Sequence, residues 1–300
     1  MMKLTITGFF DYKKTLDQSI ETLKNNQLST LALRQYEGRS LIEMNDQDIK
    51  NLLTKLKSDK IELSMLDTMI EPYPIESKKK HQEALDQFRY MVKLSSKLKV
   101  DYLLFELPIF HDCIEEFSAI KKILEPYIEQ AIINGKTIIV KPSLTYKTNV
   151  YAYLFKKLKT KNLMMAFDPS IMMQNGESVT TSYRLLKKDI IAFIAKDKDH
   201  QHQPQLLGYG KTEMLNIFKR LIRDHFDGFV LADHDFKEED LLFEPEKSGF
   251  FKRLIGKEKK RKEEYIQTLQ KRIFPNEPNK LVTLDDILDN QIKVLRVVFK

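Results

Sequence analysis

A single cysteine, Cys113, is present in 300 residues, so no disulfide can form within the chain and a reducing, cytoplasmic setting is expected. No apolar run approaches the roughly 18 to 20 residues of a spanning helix. Met1-Met2-Lys3-Leu4 leads into an apolar segment without a signal core, so neither membrane insertion nor secretion is expected. No Gly-x-Gly-x-x-Gly follows the first apolar run and no Gly-x-x-x-x-Gly-Lys occurs, which argues against dinucleotide and P-loop sites. Cys-x-x-Cys pairs and a Gly-x-Ser-x-Gly elbow are also missing. Neither an internal repeat nor a low-complexity tract is evident beyond one basic run.

What the chain does contain is an alternation of short apolar runs with longer amphipathic ones. The short runs are Leu4 to Ile6, Thr30 to Leu33, Ile61 to Leu66, Tyr102 to Phe105, Thr137 to Val140, Leu163 to Phe167, Ile190 to Ile194 and Phe229 to Leu231. Parallel strands are covered on both faces, so continuous apolar runs fit them better than strict alternation. Between them, apolar residues recur three and four apart, as in Leu16, Ile20 and Leu23, which predicts crossover helices. Eight such pairs predict an α/β fold of the (β/α)8 barrel type, with chemistry at the carboxyl ends of the strands. Hydrophobic content of 42% over this length supports one such core. The expected organisation is a barrel over residues 1–242 and a basic appendage over 243–300. That appendage is read as an insertion or mobile loop over 243–262, the last barrel helix over about 262–272, and a terminal extended segment from Ile292 to Phe299, where Val294, Val297 and Val298 favour a strand.

The formal charge is +7. Part of the excess is concentrated at Lys252, Arg253, Lys257, Lys259, Lys260, Arg261 and Lys262, beside Phe250, Phe251, Leu254 and Ile255. Residues 250–262 therefore suit contact with an anionic surface. A solvated helix face explains the same run, since Glu263 and Glu264 follow directly.

The residues just after the apolar runs are mostly charged: Arg34, Asp67, Glu106, Lys141, Asp168, Lys196 with Asp197, and Asp233 with His234. Polar groups gathered at the mouth of an apolar barrel are the ordinary composition of a small-molecule site. Glu106, Lys141, Asp168 and Asp233 are the candidate catalytic residues. Arg34, Lys196, Asp197, Gly208, Gly210 and His234 are the candidate substrate contacts, with the amides of Gly208-Tyr209-Gly210 offering a phosphate cradle before the next helix.

Four segments stand out in order along the chain: Asn162-Leu-Met-Met-Ala-Phe-Asp168-Pro169, Ile190-Ile-Ala-Phe-Ile-Ala-Lys196-Asp197, Leu207-Gly208-Tyr209-Gly210 and Asp227-Gly228-Phe229-Val230-Leu231-Ala232-Asp233. Through them the chain, over about residues 4 to 240, resembles the xylose isomerase-like (AP endonuclease family 2) barrels. The resemblance implies a sugar or sugar-phosphate isomerase or epimerase, acting on a small carbohydrate. It also implies a divalent metal held by Glu, Asp, His and Glu after strands five to eight. Laid over this chain, those positions are Lys141, Asp168, Ile194 and Asp233, and the position three after Asp168 is Ile171. The ligand set is incomplete, and an ammonium repels a hard cation. The family's DNA-repair members use a multi-zinc site whose residues this chain lacks at the strand ends, so a nucleic-acid substrate is not expected.

Lys141 has three readings: a substitute for the metal's charge among Asp168 and Asp233, a catalytic lysine with a lowered pKa, or a surface residue. A displaced metal site built from His111, His200, His202 and His234 is the rival expectation. Without metal, Glu106, Asp168 or Asp233 would serve as base and Lys141 or Lys196 would steady an oxyanion. The alternative function is a catalytically silent barrel used for binding or as a scaffold.

Overall fold

In the computed structural model, residues 4–10, 12–242, 252–277 and 279–299 are described, without the side chains of 252–259. Eight parallel strands form the barrel. They are β1 (Thr5–Thr7), β2 (Thr30–Leu33), β3 (Glu62–Asp67), β4 (Tyr102–Phe105), β5 (Thr137–Val140), β6 (Leu163–Phe167), β7 (Ile190–Ala195) and β8 (Phe229–Ala232). Each pairs in parallel with the next from β2 to β8, and β8 pairs with β1.

Connecting helices cover the outside: α1 (Leu16–Asn25), α2 (Asp46–Asp59), α3 (Lys78–Lys97), α4 (Phe117–Ile133), α5 (Thr148–Leu158), α6 (Pro169–Gln174), α7 (Val179–Leu186) and α8 (Met214–Arg223). After β8 come α9 (Glu238–Leu241), α10 (Lys252–Ile273) and α11 (Leu284–Val298). Several helices begin where side chains satisfy their first amides. Thr15 with Gln18, Asn45 with Asp48 and Thr283 with Asp286 form reciprocal capping boxes.

Two apolar layers result. The outer one fills the space between strands and helices. The inner one takes one residue from each strand after β1: Ala32, Met65, Leu104, Ile139, Ala166, Ala192 and Leu231, with Phe9 beside them. Alanine at three of these positions leaves room for Phe9 and Met65, so large and small residues alternate in the layer.

The seam between β1 and β2 lacks a regular ladder and is closed largely by hydroxyls. Thr30 Oγ1 donates to Ile6 O at 2.8 Å and Ala32 N to Gly8 O at 3.0 Å. Thr7 Oγ1 lies 2.8 Å from Ser64 Oγ and 3.2 Å from Thr30 O.

The C-terminal region differs from expectation. Ile292 to Phe299 is not extended: Ile292 to Val298 belong to α11, whose buried residues Leu284, Ile287, Leu288, Gln291, Ile292 and Leu295 repeat every three to four positions. Leu288, Ile292 and Leu295 of that stripe join the barrel core, Leu284 and Ile287 pack with Phe236 and Leu269, and together they outweigh the local β preference of three valines. The helix expected over about 262–272 is the second half of α10. The helix that closes the ring is α11, tied to the end of α1 by Asn26 Nδ2 donating to Asp289 Oδ1 at 2.6 Å and Arg296 Nη2 donating to Gln27 O at 3.1 Å.

Thr30→Val keeps shape and removes the seam hydroxyl. We expect a loss of about 1–2 kcal/mol, read from the midpoint of urea unfolding. An unchanged midpoint would show that the seam does not depend on this bond.

Candidate active site

The strand ends deliver two ion clusters to the carboxyl mouth. In the first, Asp67 ends β3 with its side chain 1% exposed. Lys141, one residue beyond β5, places Nζ 3.0 and 3.1 Å from the two Asp67 oxygens and 3.2 Å from Glu106 Oε1. Arg34 lies over the Phe9 ring, its Cζ 3.9 Å from the ring centroid, and brings Nη2 to 3.6 Å from Asp67 Oδ2. The inner apolar layer thus carries the guanidinium that faces Asp67. Glu106 is the most open of these side chains, at 31%.

In the second cluster Lys196, beyond β7, sits 3.3 Å from Asp168 Oδ2 and 3.2 Å from Asp235 Oδ1, and Lys198 also pairs with Asp235. Burial alone would lower the pKa of Lys196. The nearby carboxylates of Asp168, Asp233 and Asp235 outweigh it and hold the proton on more firmly than usual. Burial likewise would raise the pKa of Asp235, but Lys196 and Lys198 prevail and keep it low. The other oxygen of Asp168 caps α6, accepting from Ser170 N at 2.8 Å, Ser170 Oγ at 2.6 Å and Ile171 N at 3.3 Å.

These pairings correct the expected partners of Lys141. Its ammonium lies with Asp67 and Glu106, because β3, β4 and β5 are consecutive neighbours. The ammonium that meets Asp168 is Lys196, supplied by β7, which pairs with β6. The sequence-based candidate set left out Asp67, Asp235 and Lys198. Asp67 was visible as the acid directly after an apolar run, whereas nothing in the residue order marked Asp235 or Lys198 as partners of the mouth.

Asp197, Gly208 and Gly210 form a unit of a different kind. Asp197 is buried and accepts from Gly208 N and Gly210 N, both at 2.9 Å, and from Thr212 Oγ1 at 2.6 Å. A Cβ on Gly210 would stand 2.0 Å from Asp197 Oδ1, so the turn requires glycine there. The amides expected to cradle a phosphate are committed to this internal carboxylate, which folds the loop after β7.

The residues present do not fit the metal that the fold implies. Ammonium groups lie against Asp67, Glu106 and Asp168 at hydrogen-bonding range, and Ile194 offers no donor. Among the described residues, no group of three or more His, Cys, Asp or Glu is placed to hold a metal ion. The histidines do not gather either: His111, His200 and His202 are exposed, and His234 turns its ring toward Tyr12 and Phe236. Asp233 accepts from the His234 amide at 2.9 Å. The basic run is helical from Lys252, while Phe250 and Phe251 lie outside the described residues.

Removing the Lys141 charge while keeping its bulk, as in Lys141→Met, leaves Asp67 buried with Arg34 Nη2 at 3.6 Å and the Met69 amide at 3.1 Å. We expect a loss of roughly 3 kcal/mol, the low end for breaking a buried pair because Arg34 remains, read by chemical denaturation. A midpoint within error of the parent would contradict the pairing.

No family model and no curated protein sequence matches the chain. Solved structures do. A probable 3-DHS dehydratase, AsbF, from Bacillus anthracis superposes with a TM-score of 0.65 at 13% identity over 99% of both chains. A xylose isomerase domain protein from Planctomyces limnophilus gives 0.62 at 11% identity over 90% of this chain and 98% of that one. A D-tagatose 3-epimerase-like protein gives 0.62 at 14% identity over 91% and 100%. At such identities the likeness is one of architecture, and this chain shares the (β/α)8 barrel fold of these xylose isomerase-like and epimerase-like structures.

Proposed function

We propose that the chain acts on a small carbohydrate or sugar phosphate at the carboxyl mouth of its barrel, as an isomerase or epimerase in which lysine ammonium groups take over the charge of the family metal. The observation that carries this is the sharing of Lys141 Nζ between the buried Asp67 and the more open Glu106. Asp67 anchors the ammonium, and Glu106 is left on the accessible side of it. A carbonyl oxygen approaching Lys141 would place the neighbouring C–H toward Glu106. Glu106 takes that proton as a general base, and Lys141 stabilises the enolate oxygen that develops. Return of the proton to a different carbon isomerises the sugar, and return to the other face epimerises it. Lys196 and Arg34 supply further positive charge for hydroxyl or phosphate groups, and Asp168 and Asp233 complete the polar lining. The sugar-processing names of similar folds support the substrate class. A cytoplasmic location suits the unpaired Cys113. Contact of residues 250–262 with an anionic surface rests on charge alone.

A second reading, a silent barrel that binds without converting, is favoured by the completeness of the pairing: Asp67, Asp168 and Asp235 each already hold an ammonium. Incubation with a panel of ketoses and ketose phosphates in D2O separates the two. The enzyme reading predicts deuterium at the carbon beside the carbonyl, visible by NMR, with a drop of about 10²-fold or more in Glu106→Gln. Saturation-transfer signals without any exchange would establish the silent barrel. Exchange unaltered in Glu106→Gln would remove that residue from the chemistry.

A further inference from the structure

The end of the barrel opposite the mouth carries a concentration of positive charge that the local carboxylates do not balance. On one side of it α5, α7 and α8 finish, and α7 packs against both of the others. Lys159 and Lys161 lie in the loop that leads into β6, and Lys187 and Lys188 in the loop that leads into β7. Those loops are side by side, since Met165 pairs with Ile190 and its amide donates to Asp189 O at 2.7 Å. Lys156, Lys157, Lys159, Lys161, Arg184 and Lys188 are all exposed, and among the described residues none of them is ion-paired. The acids at this end are otherwise placed. Asp224 holds Lys187 at 3.2 Å and Arg223 at 2.8 Å. Asp189 is half-buried, and Asp227 is exposed at the border beside β8.

Cations in the last turn of a helix complement its dipole, which accounts for Lys156, Lys157 and Arg184. It does not account for Lys161 and Lys188, which lie past the helix ends, where that effect has faded. Two aliphatic side chains stand out of the same surface. Leu185 is 53% exposed between Arg184 and Lys187, and Ile222 is 42% exposed between Arg220 and Arg223. No strongly exposed aromatic ring accompanies them among the described residues, as a base-stacking platform for single-stranded nucleic acid requires. Lysines interspersed with exposed aliphatic groups suit a surface of anionic lipid headgroups, where charge attracts and apolar side chains enter the interface. Among the described residues no helix is long and apolar enough to cross a bilayer, so such contact is peripheral.

We propose that this end of the barrel docks on a membrane surface containing anionic phospholipid, with the ammonium groups at the headgroups and Leu185 and Ile222 reaching between them. The helix of the basic run is not part of this face. α10 is held at the mouth end, where the Tyr265 hydroxyl donates to Pro204 O and Arg272 lies over the Tyr209 ring. Docked in this way, the mouth points away from the bilayer and stays open to solutes. The inference does not rest on the mouth being catalytic, and its test does not read turnover.

Sedimentation of the full chain with phosphatidylcholine vesicles, with and without one part in three of phosphatidylserine, tests this. Binding is expected to the anionic vesicles alone. It should vanish between about 0.1 M and about 1 M salt, where the screening length falls from about 10 Å to about 3 Å. Each cation near an anionic bilayer is worth roughly fivefold in affinity, so Lys159→Gln, Lys161→Gln and Lys188→Gln combined should weaken binding about a hundredfold. Lys78→Gln, Lys79→Gln and Lys80→Gln combined remove the same charge from the mouth end, at the start of α3, and should leave binding nearly unchanged. Leu185→Asn, at an exposed position, should lower affinity severalfold. Failure to bind the phosphatidylserine vesicles, equal losses in the two triple variants, or unchanged affinity in Leu185→Asn would each overturn the proposal. Retention of a DNA duplex without vesicle binding would assign the face to nucleic acid instead.

Discussion

A carboxylate buried at the top of an apolar barrel must be neutralised, and in this chain Lys141 does most of that for Asp67. Removing an ion from water costs several kcal/mol even after relaxation, and one partner at hydrogen-bonding distance recovers that only with good geometry. Both Asp67 oxygens meet the same ammonium. Its position depends on the strand order, because β3 and β5 flank β4 and bring Asp67, Glu106 and Lys141 into one corner of the mouth. The floor matters equally. Phe9 and Met65 fill the space left by Ala32, Ala166 and Ala192, and Arg34 rests on Phe9 as the second cation facing Asp67.

The same logic repeats across the mouth with Lys196, whose burial is tolerated because Asp168, Asp233 and Asp235 surround it. Together the two clusters pair most of the charge at the mouth, ammonium against carboxylate. The loop after β7 is ordered independently by Asp197, so the residues around Lys196 and Lys198 are positioned by a buried carboxylate rather than by a bound anion. The ring is completed by α11, which holds both the end of α1 and Tyr12.

Much of this architecture was legible in the residue order. Strands covered on both faces need apolar side chains throughout, so Tyr102 to Phe105 and Thr137 to Val140 appear as short uninterrupted runs. The terminal helix is masked in the sequence by the local β preference of Val294, Val297 and Val298, while its helical signal lies upstream in the Thr283–Asp286 capping box and the stripe from Leu284 to Leu295. Strand-end charges were visible, but their pairing was not. Which ammonium meets which carboxylate depends on side-chain reach across neighbouring strands, and that placed Lys196 rather than Lys141 on Asp168. Gly208 and Gly210 carried a true signal for a tight turn. The anion it serves is Asp197 of the same chain.

The proposed function stands on ammonium groups taking the charge role of the metal that the resemblance implies. Elemental analysis of the purified protein, combined with a crystal structure of the barrel mouth, tests this most directly. The expected result is divalent metal far below one equivalent, with Lys141 Nζ between Asp67 and Glu106. About one equivalent of metal coordinated by Glu106 or Asp168, with Lys141 displaced outward, would contradict it.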